Sequence, residues 1–588
     1  MANSADDDTT QKMAPTLLQP DNHNKKYEAL FVEIDSSQIK LPMFQREFVW
    51  DKEQSAKLID SILKGFPIGT FIFWKTREEL RSYKEIGNHR FPEIPKGDYV
   101  QYILDGQQRI TTLYAIRKGI RVTKDGEEID YKDIYVDLDY DQTNDEQIVV
   151  TERLGDKRYV SVHELLTSQV SDLLDLFNDR PTLRLMETYR ARLTSYDFSS
   201  ITIKDYPIEV ACEVFARINT GGKTLTVFEI MVAKTYDERK GFDLAEKYEQ
   251  LRDGSEDDKR CLSVAKFETI PEATIMQCVA AISLRAVRSK DILKIRRDTF
   301  IDKWEPMRQA LFSAIDFVRA ELGIPVSQLL PYPAILVPLA YFFNATRNKK
   351  PNRKQVVQLQ QYFYWAGLTE RYSSGTEGKI AEDFNKMDLI AAGQKPTYQA
   401  TELRIDPAAI EERWFSAGNA YCKSILCFLA SLQPRSLDTN GTVILDNSNL
   451  KIATSRNYHH FFPKAYLRKA DSSKEPNLIA NITLMDAYSN KYRIGAKPPS
   501  EYLRQFAESN ETLSETLKTH LIGDIKDFGV LLSGKGRATA TSDNYDLFIK
   551  RRALSIALGL NMKLLSMTQA EAAKEMQKEF ENLQASAA

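Results

Sequence analysis

The hydrophobic positions of the first 240 residues alternate between two periods, which predicts a mixed α+β fold. Residues 1–26 are polar, and we expect a disordered tail there. Phe31–Ile34 alternates like a strand, and Asp51 with Gln54 has the spacing of a capping box at the start of a helix. The apolar stripe of that helix is Ala56, Ile59, Leu63 and Phe66, with Gly65 at its end. The same reasoning predicts strands over 70–74, 99–104, 119–123 and 134–138, and a helix that carries Ile110, Leu113 and Ile116 and ends at Gly119.

Further along the chain the helical period dominates, and the pattern predicts several domains. Residues 241–432 read as helices separated by short turns, and residues 432–449 are rich in Pro, Asp, Asn and Gly, as is typical of a boundary loop. We therefore expect an α+β multidomain protein. Its predicted parts are a tail (1–26), an α+β domain (27–240), a helical domain (241–432), a mixed domain (433–560) and a C-terminal helix (561–588).

Composition limits the classes of protein to which this chain can belong, but it does not indicate an activity. The 588 residues carry a net charge of −2, so any contact with nucleic acid has to use local basic patches. Five scattered Cys suit buried thiols in a reducing compartment better than a disulfide framework. The chain shows no secretory signal and no apolar run long enough for a membrane span, which predicts a cytoplasmic protein with no membrane partner.

Asp105-Gly106-Gln107-Gln108-Arg109 lies where a predicted strand runs into a predicted helix. The start of a helix offers unpaired N–H groups that suit a phosphate, Gly106 allows close backbone approach, and Arg109 adds a cation. The five residues alone also fit a capped helix with a solvated arginine.

A second set of polar residues lies near the C-terminal end. His459 and His460, two of only six histidines, are followed by Asn481 before an apolar run and then by Asn490. One imidazole can ligate a metal, its neighbour can act as a general base, and an Asn oxygen can complete the ligand set. A surface loop or a hydrogen-bonded core histidine is the alternative explanation.

Candidate DNA contacts fall near these histidines and in the helical region. Lys464 and Lys497 could meet backbone phosphates, and Arg371 with Tyr372 could line a pocket for a modified base. The basic run 347–354 could contact phosphates, although a solvated loop between helices is the commoner explanation, and the run 550–552 fits either a backbone contact or a charged helix face.

Several motifs in one order resemble a known family. Residues 41–50, 58–62, 67–69, 105–109 and 214–222 are similar to the N-terminal domain of GmrSD-type modification-dependent restriction endonucleases. The resemblance implies a ParB/sulfiredoxin-like fold that binds and hydrolyses a nucleoside triphosphate (GTP, UTP or ATP). The residues that it places in the nucleotide pocket are Gln45, Arg46, Asp105, Gly106, Gln107, Gln108 and Arg109.

The same family carries a C-terminal HNH-like (ββα-metal) nuclease domain, which residues 440–555 resemble. The resemblance implies that His460 is the general base, that His459 and Asn490 hold a divalent metal, Mg²⁺ or Mn²⁺, and that Asn481 orients His460 or its loop. The common family form has an acidic residue where this chain has His459. Imidazole is a better ligand for Mn²⁺, Ni²⁺ or Zn²⁺ than for Mg²⁺, so the departure leaves the metal open.

Two functions follow from this resemblance. The first is an NTP-dependent endonuclease that senses and cleaves modified phage DNA, with double-stranded DNA and nucleotide as partners. The second is a nucleotide-binding regulator or DNA-binding adaptor whose nuclease-like domain does not cut. Homo-oligomerisation stays open in both.

Overall fold

The chain divides at residue 243 into two units, residues 1–243 and 244–588. The structure is a computed structural model. The residues that it describes are 19–41, 50–78, 80, 82, 85–86, 89–92, 97–124, 127–141, 143, 147–177, 179–218, 226–256, 258–450, 458–485, 493–524, 527, 543–565, 570–571 and 574. In this part of the chain no helix is both long and apolar enough to span a bilayer.

The first unit is a mixed α+β fold. Its elements are β1 (Asp21–Lys26), α1 (Tyr27–Asp35), β2 (Ile39–Lys40), α2 (Lys52–Leu63), β3 (Phe71–Thr76), β4 (Glu85–Ile86), β5 (His89–Arg90), β6 (Val100–Asp105), α3 (Gln107–Lys118), β7 (Arg121–Lys124), β8 (Glu127–Asp130), β9 (Tyr135–Asp137), β10 (Val149–Val150), β11 (Tyr159–Ser161), α4 (Val162–Thr167), α5 (Val170–Leu176), α6 (Arg180–Thr194), β12 (Asp197–Lys204), α7 (Ile208–Ile218) and α8 (Val227–Thr235).

A five-stranded sheet in the order β1-β12-β3-β6-β2 forms the centre of this unit. β12 runs parallel to β3, whereas β3 and β6 are antiparallel. Phe71, Phe73 and Ile103 on these strands are fully buried and pack with α1, α2 and α3 in one core. The C-terminal end of β6 is thereby placed against the start of α3, where the Asp105–Arg109 motif lies.

The helix predicted to start at Asp51 and the helix predicted to end at Gly119 are confirmed as α2 and α3. Asp51 caps α2, because its carboxylate accepts from the Gln54 N–H at 2.7 Å while the Gln54 side chain accepts from the Asp51 N–H. Gly119 ends α3 with a φ of 59°, a left-handed conformation that glycine adopts without strain. Phe66 was expected on the stripe of α2, but the helix ends at Leu63 and Phe66 is 56 % exposed.

The strand predicted over Phe31–Ile34 was wrong, since these residues belong to α1. Tyr27, Leu30, Phe31 and Ile34 are the buried positions, and their three- and four-residue spacing is that of a helix. A run of four residues is too short to separate the two periods. Residues 21–26, which were expected to be part of a disordered tail, pair along β12 through their backbone, whereas residues 1–18 lie outside the described residues.

The second unit is mostly helical. Its helices and strands are α9 (Leu244–Asp253), α10 (Leu262–Ala265), α11 (Glu272–Leu284), α12 (Ser289–Lys294), α13 (Arg297–Ala320), α14 (Leu336–Ala345), α15 (Arg353–Leu368), α16 (Thr376–Ala391), α17 (Pro407–Glu411), α18 (Ala420–Ser431), β13 (Tyr458–His460), α19 (Lys464–Ala470), β14 (Ile482–Leu484), α20 (Pro499–Ser509), α21 (Leu513–Lys518) and α22 (Tyr545–Leu565). Short 3₁₀ turns occur at Ser327–Leu329, Pro333–Ile335, Ala400–Glu402, Ser448–Leu450 and Ile479–Asn481.

Helix α22 packs into the interior of this unit. Ala553, Ile556 and Leu560 are fully buried, and a Cβ on Gly559 would lie 2.1 Å from the Phe428 ring of α18. The helical segment and the β13–β14 segment thus share one unit, although the sequence suggested a boundary near residue 432. The predicted C-terminal helix over 561–588 lies largely outside the described residues.

Candidate functional site

The two adjacent histidines lie on β13, which pairs antiparallel with β14. Tyr458 faces Leu484, His459 faces Thr483, and His460 faces Ile482. Successive side chains on a strand leave on opposite faces, so the two imidazoles do not lie side by side. His459 is buried at 3 % exposure, whereas His460 is half-buried at the end of the strand.

The partial burial of His460 lowers the pKa of its imidazole. Its Nε2 lies 3.1 Å from Oδ1 of Asn477. Burial is the largest cause that lowers the pKa of His460, and the charge of Lys464 and the neighbouring His459 act in the same direction, so the pKa falls to about 4 despite the Asn477 hydrogen bond. His460 is therefore neutral near pH 7, which is the form that accepts a proton.

The loop after His460 is held by the side chain of Asn481, which is fully buried. Asn481 accepts from the Phe462 N–H at 2.8 Å and donates to the carbonyls of Phe462 and Pro476 at 3.0 and 2.9 Å. Its own carbonyl accepts from the Phe461 N–H at 2.9 Å. The amide thus satisfies the backbone polar groups of a buried turn directly after His460.

A third histidine, His520, and an arginine, Arg552, form hydrogen bonds to β14 and to the residue Ala480 just before it. His520 Nε2 lies 2.7 Å from the Arg435 carbonyl, and its Nδ1 lies 2.7 Å from the Thr483 hydroxyl. Burial lowers the pKa of His520 to about 4, so this ring is also neutral at pH 7. Arg552 donates to the carbonyls of Ala480 and His520 at 2.7 and 3.3 Å, and burial lowers its pKa to about 9.

Arg552 corrects the expectation for the basic run 550–552. That run was interpreted as a phosphate contact or a solvated helix face, yet Arg552 is 2 % exposed. Among the described residues no carboxylate forms an ion pair with it, and its contacts are backbone carbonyls and the Phe548 ring, 6.0 Å away. The sequence also gave no indication of Asn477 or His520, whose roles depend on residues distant in the chain.

A metal centre at the hairpin stays a prediction. Imidazole nitrogen suits transition-metal ions, but His459 is 3 % exposed and its side chain leaves β13 on the face opposite to His460, so the two imidazoles do not converge on one ion. The described residues alone contain no group of three His, Cys, Asp or Glu side chains that could hold an ion. Asn490, the expected second ligand, lies outside the described residues.

The predicted DNA contacts differ in their surroundings. Lys464 is exposed at the first position of α19, four residues after His460. Lys497 is half-buried and donates to the Arg493 carbonyl and to Gln505 at 3.1 and 2.8 Å. Lys464 is thus the more accessible of the two cations.

Arg371 and Tyr372 belong to a buried polar cluster in the helical region. Asp383, fully buried, accepts from the Tyr372 hydroxyl at 2.7 Å and from Arg371 Nε at 2.8 Å. Arg371 also stacks on Trp365, with its Cζ 4.8 Å from the ring centroid. A DNA base could reach Tyr372, which is 4 % exposed, only if this cluster opened.

In the first unit, the Asp105–Arg109 motif forms the predicted strand-to-helix turn. Gly106 caps α3 with a φ of 90°, and a Cβ there would lie 2.2 Å from the Phe71 ring. Gln107 and Gln108 are buried at 7 % and 8 % exposure. Gly106 is therefore required both for its left-handed backbone and for the space that Phe71 occupies.

Arg109 is held by the protein itself. It donates to the carbonyls of Ile68 and Thr70 at 2.5 and 3.1 Å and to the Asp105 carboxylate at 3.1 Å, and it lies over the Phe71 ring. These bonds tie the loop before β3 to the start of α3. Gln45 and Arg46, the other two residues expected at the nucleotide, lie outside the described residues.

The comparisons with known proteins agree with the expectation for this first unit. Residues 27–236 match the family described as GmrSD restriction endonuclease, N-terminal domain. The chain is also 25 % identical over 541 residues to the uncharacterized protein MJ0686 of Methanocaldococcus jannaschii, covering 83 % of this chain and 88 % of that protein. Because the first unit ends at residue 243, this similarity extends well into the second unit.

Proposed function

We propose that this protein is a restriction-type DNA endonuclease that acts in the cytoplasm against modified foreign DNA. The family match over residues 27–236 supports the restriction role. The observation that carries the cleavage step is the neutral, half-buried imidazole of His460 at the end of β13, on a loop that Asn481 holds in place.

In the proposed reaction His460 removes a proton from water, and the water oxygen forms a new bond to phosphorus. The bond from phosphorus to the leaving sugar oxygen breaks, and that oxygen takes a proton from solvent. Lys464, exposed four residues after His460, contacts a neighbouring phosphate. A divalent ion would stabilise the negative charge that develops on the scissile phosphate. Because the side chain of His459 is buried and leaves β13 on the face opposite to His460, His459 would not hold that ion against a phosphate beside His460.

For the first unit we propose nucleotide binding and hydrolysis at the Asp105–Arg109 turn. The first N–H groups of a helix have no acceptor within that helix, so the start of α3 suits a phosphate. Asp105, Gln107 and Gln108 surround this helix start together with Arg109. The proposed nucleotide is a nucleoside triphosphate that controls when the second unit cuts.

The direct test is cleavage of matched modified and unmodified phage DNA by the full chain, with Mg²⁺ or Mn²⁺ and with each nucleotide in turn. His460→Ala should lower the cleavage rate by about 100- to 10,000-fold, the usual contribution of a general base. His23→Ala is the control, because His23 is exposed on β1 in the other unit. Equal cleavage by His460→Ala and the wild-type protein would show that His460 is not the base.

A second function is favoured by one feature, the His459 that replaces the acidic residue of the common family form. In that case the protein is a nucleotide-binding adaptor that holds DNA without cutting it. Retained DNA binding, with no nicking in any combination of metal and nucleotide, would support the adaptor function.

A further inference from the structure

The hydrogen bond between Asn477 and His460 indicates which nitrogen of the imidazole carries the proton. Asn477 lies 17 residues after His460 in the chain, and its Oδ1 is 3.1 Å from His460 Nε2. A neutral imidazole has one nitrogen that donates and one that accepts. Whichever role Asn477 imposes on Nε2 therefore decides the role of Nδ1.

The orientation of the Asn477 amide follows from its second contact. The other end of the amide lies 3.1 Å from the carbonyl oxygen of Phe415, 62 residues away. A carbonyl oxygen can only accept, so the group that faces Phe415 must be the NH₂. The amide oxygen must then face His460, and an oxygen of this kind can only accept from Nε2–H.

The segment that carries Asn477 is held on several sides, which fixes its backbone in the second unit. The Phe415 N–H donates to the Asn477 carbonyl at 2.8 Å, and Trp414 forms a β-bridge with Leu478. On the preceding residues, Pro476 accepts from Asn481 and Glu475 accepts from the Tyr545 hydroxyl at 2.5 Å. The backbone before and after Asn477 is thus tied to three different parts of the second unit.

We propose that Asn477 is a positioning residue that keeps the ring proton of His460 on Nε2 and leaves Nδ1 as the nitrogen that takes the proton from water. This inference deepens the proposed nuclease function and rests on it for its catalytic meaning. Among the described residues, no hydrogen bond engages Nδ1 of His460. Asn477 acts through His460 and does not itself touch DNA.

The first test reads the tautomer directly and does not depend on cleavage. Histidine-selective ¹⁵N NMR of the full chain, with His460 assigned by its loss in His460→Gln, should show a protonated Nε2 and an unprotonated Nδ1. Asn477→Asp keeps an acceptor at this position and should keep that tautomer. Asn477→Leu, of similar size but without an acceptor, should shift His460 toward a mixture of tautomers. A proton on Nδ1 in the wild-type protein would overturn the inference.

The second test is kinetic. Asn477→Leu should lower kcat by about 10- to 100-fold, the size typical when the partner that orients a functional histidine is lost, with little change in KM for DNA. Asn477→Asp should recover most of that loss. Asn419→Ala is the matched control, because Asn419 is also half-buried and bridges two segments of the same unit through Glu370 and the Cys422 N–H. Unchanged kcat in Asn477→Leu would refute the positioning role.

The two proposals fail in different ways. If His460→Ala cuts DNA at the wild-type rate while the NMR shows the Nε2–H tautomer, the assignment of His460 as the general base is wrong and the positioning of His460 stands as a structural fact. If His460→Ala is inactive but Asn477→Leu changes neither tautomer nor kcat, the nuclease assignment holds and the role of Asn477 is refuted. Thermal melting of each variant identifies a loss that results from unfolding.

Discussion

At the scale of single residues, the second unit contains two histidines with lowered pKa values, His460 and His520, whose surroundings differ. His460 is half-buried with one partner, Asn477, whereas both ring nitrogens of His520 have partners in the interior. The Arg435 carbonyl can only accept, so Nε2 of His520 donates and Nδ1 accepts from the Thr483 hydroxyl. His520 therefore supports β14, and His460 remains the histidine suited to proton transfer.

The lowered pKa of His520 predicts a dependence of stability on pH. The pKa is about 4 in the folded protein and about 6.5 in an unfolded chain. The unfolded state thus binds more protons between these values. The stability from neutral His520 is complete above pH 6.5 and is lost as the pH falls toward 4, by about 3 kcal/mol in total.

This dependence can be measured by urea unfolding of the wild-type protein and His520→Gln between pH 4 and 7.5. The glutamine side chain of the variant cannot titrate, so the stability difference between the two proteins should shrink as the pH falls. His460 titrates in both proteins and cancels in that difference. A difference that does not vary with pH would contradict a neutral, buried His520.

At the scale of elements, the turn between β6 and α3 depends on Gly106. Its φ of 90° disfavours any residue with a Cβ, and the Phe71 ring occupies the space where that Cβ would be placed. Arg109 then ties the same turn to the loop that precedes β3. Backbone conformation and packing therefore both restrict residue 106.

Comparing Gly106→Ala with Gly97→Ala distinguishes the effect of backbone conformation from the effect of packing against Phe71. Gly97 has nearly the same φ, 88°, but no atom of the described residues lies within 4 Å of a Cβ placed there. Gly97→Ala should destabilise the first unit by roughly 1 kcal/mol from backbone strain alone. Gly106→Ala should cost a further 1–3 kcal/mol or so from overpacking against Phe71, and should weaken nucleotide binding.

Thermal unfolding of the first unit and titration with a non-hydrolysable nucleotide check both parts of this prediction. Equal destabilisation by the two substitutions would mean that Phe71 moves aside without cost. Nucleotide affinity unchanged by Gly106→Ala would argue against a site at this turn.

Local sequence patterns predicted these elements well where the signal is a cap or a long repeat. The Asp51–Gln54 capping box and the glycine at the end of α3 depend on neighbours within a few residues, and both were confirmed. Phe31–Ile34 was assigned to the wrong class, because its helical spacing becomes visible only when Tyr27 and Leu30 are included. Short apolar runs therefore carried too little periodicity to be assigned.

At the scale of the whole molecule, the chain carries two separate motifs for which we propose phosphate chemistry, one in each unit. If nucleotide acts by changing the affinity for DNA, the two binding events share a coupling free energy. The coupling must then be reciprocal: the factor by which nucleotide changes DNA affinity equals the factor by which DNA changes nucleotide affinity.

This reciprocity gives a quantitative prediction for the full chain. The Kd of a non-hydrolysable nucleotide should change by roughly 5- to 150-fold when saturating modified duplex is added, and the Kd of the duplex should change by the same factor when nucleotide is added. Fluorescence titration in both orders measures the two factors, and an unmodified duplex of equal length is the control. Two affinities that do not depend on each other would show that nucleotide binding and DNA binding are not coupled.

The sequence by itself determined the α+β character of the first unit, the helical region, the strand-to-helix turn at Gly106 and the position of the histidine pair. These features depend on periodicity and on residues a few positions apart. Only the tertiary structure decided which partner each polar group has. Asn477 is hydrogen-bonded to His460, the Phe415 carbonyl accepts from Asn477, and Arg552 is buried with the Ala480 carbonyl as an acceptor. Buried polar groups need partners wherever the fold supplies them, and those partners lie up to 72 residues away in these cases, beyond the reach of any local spacing rule.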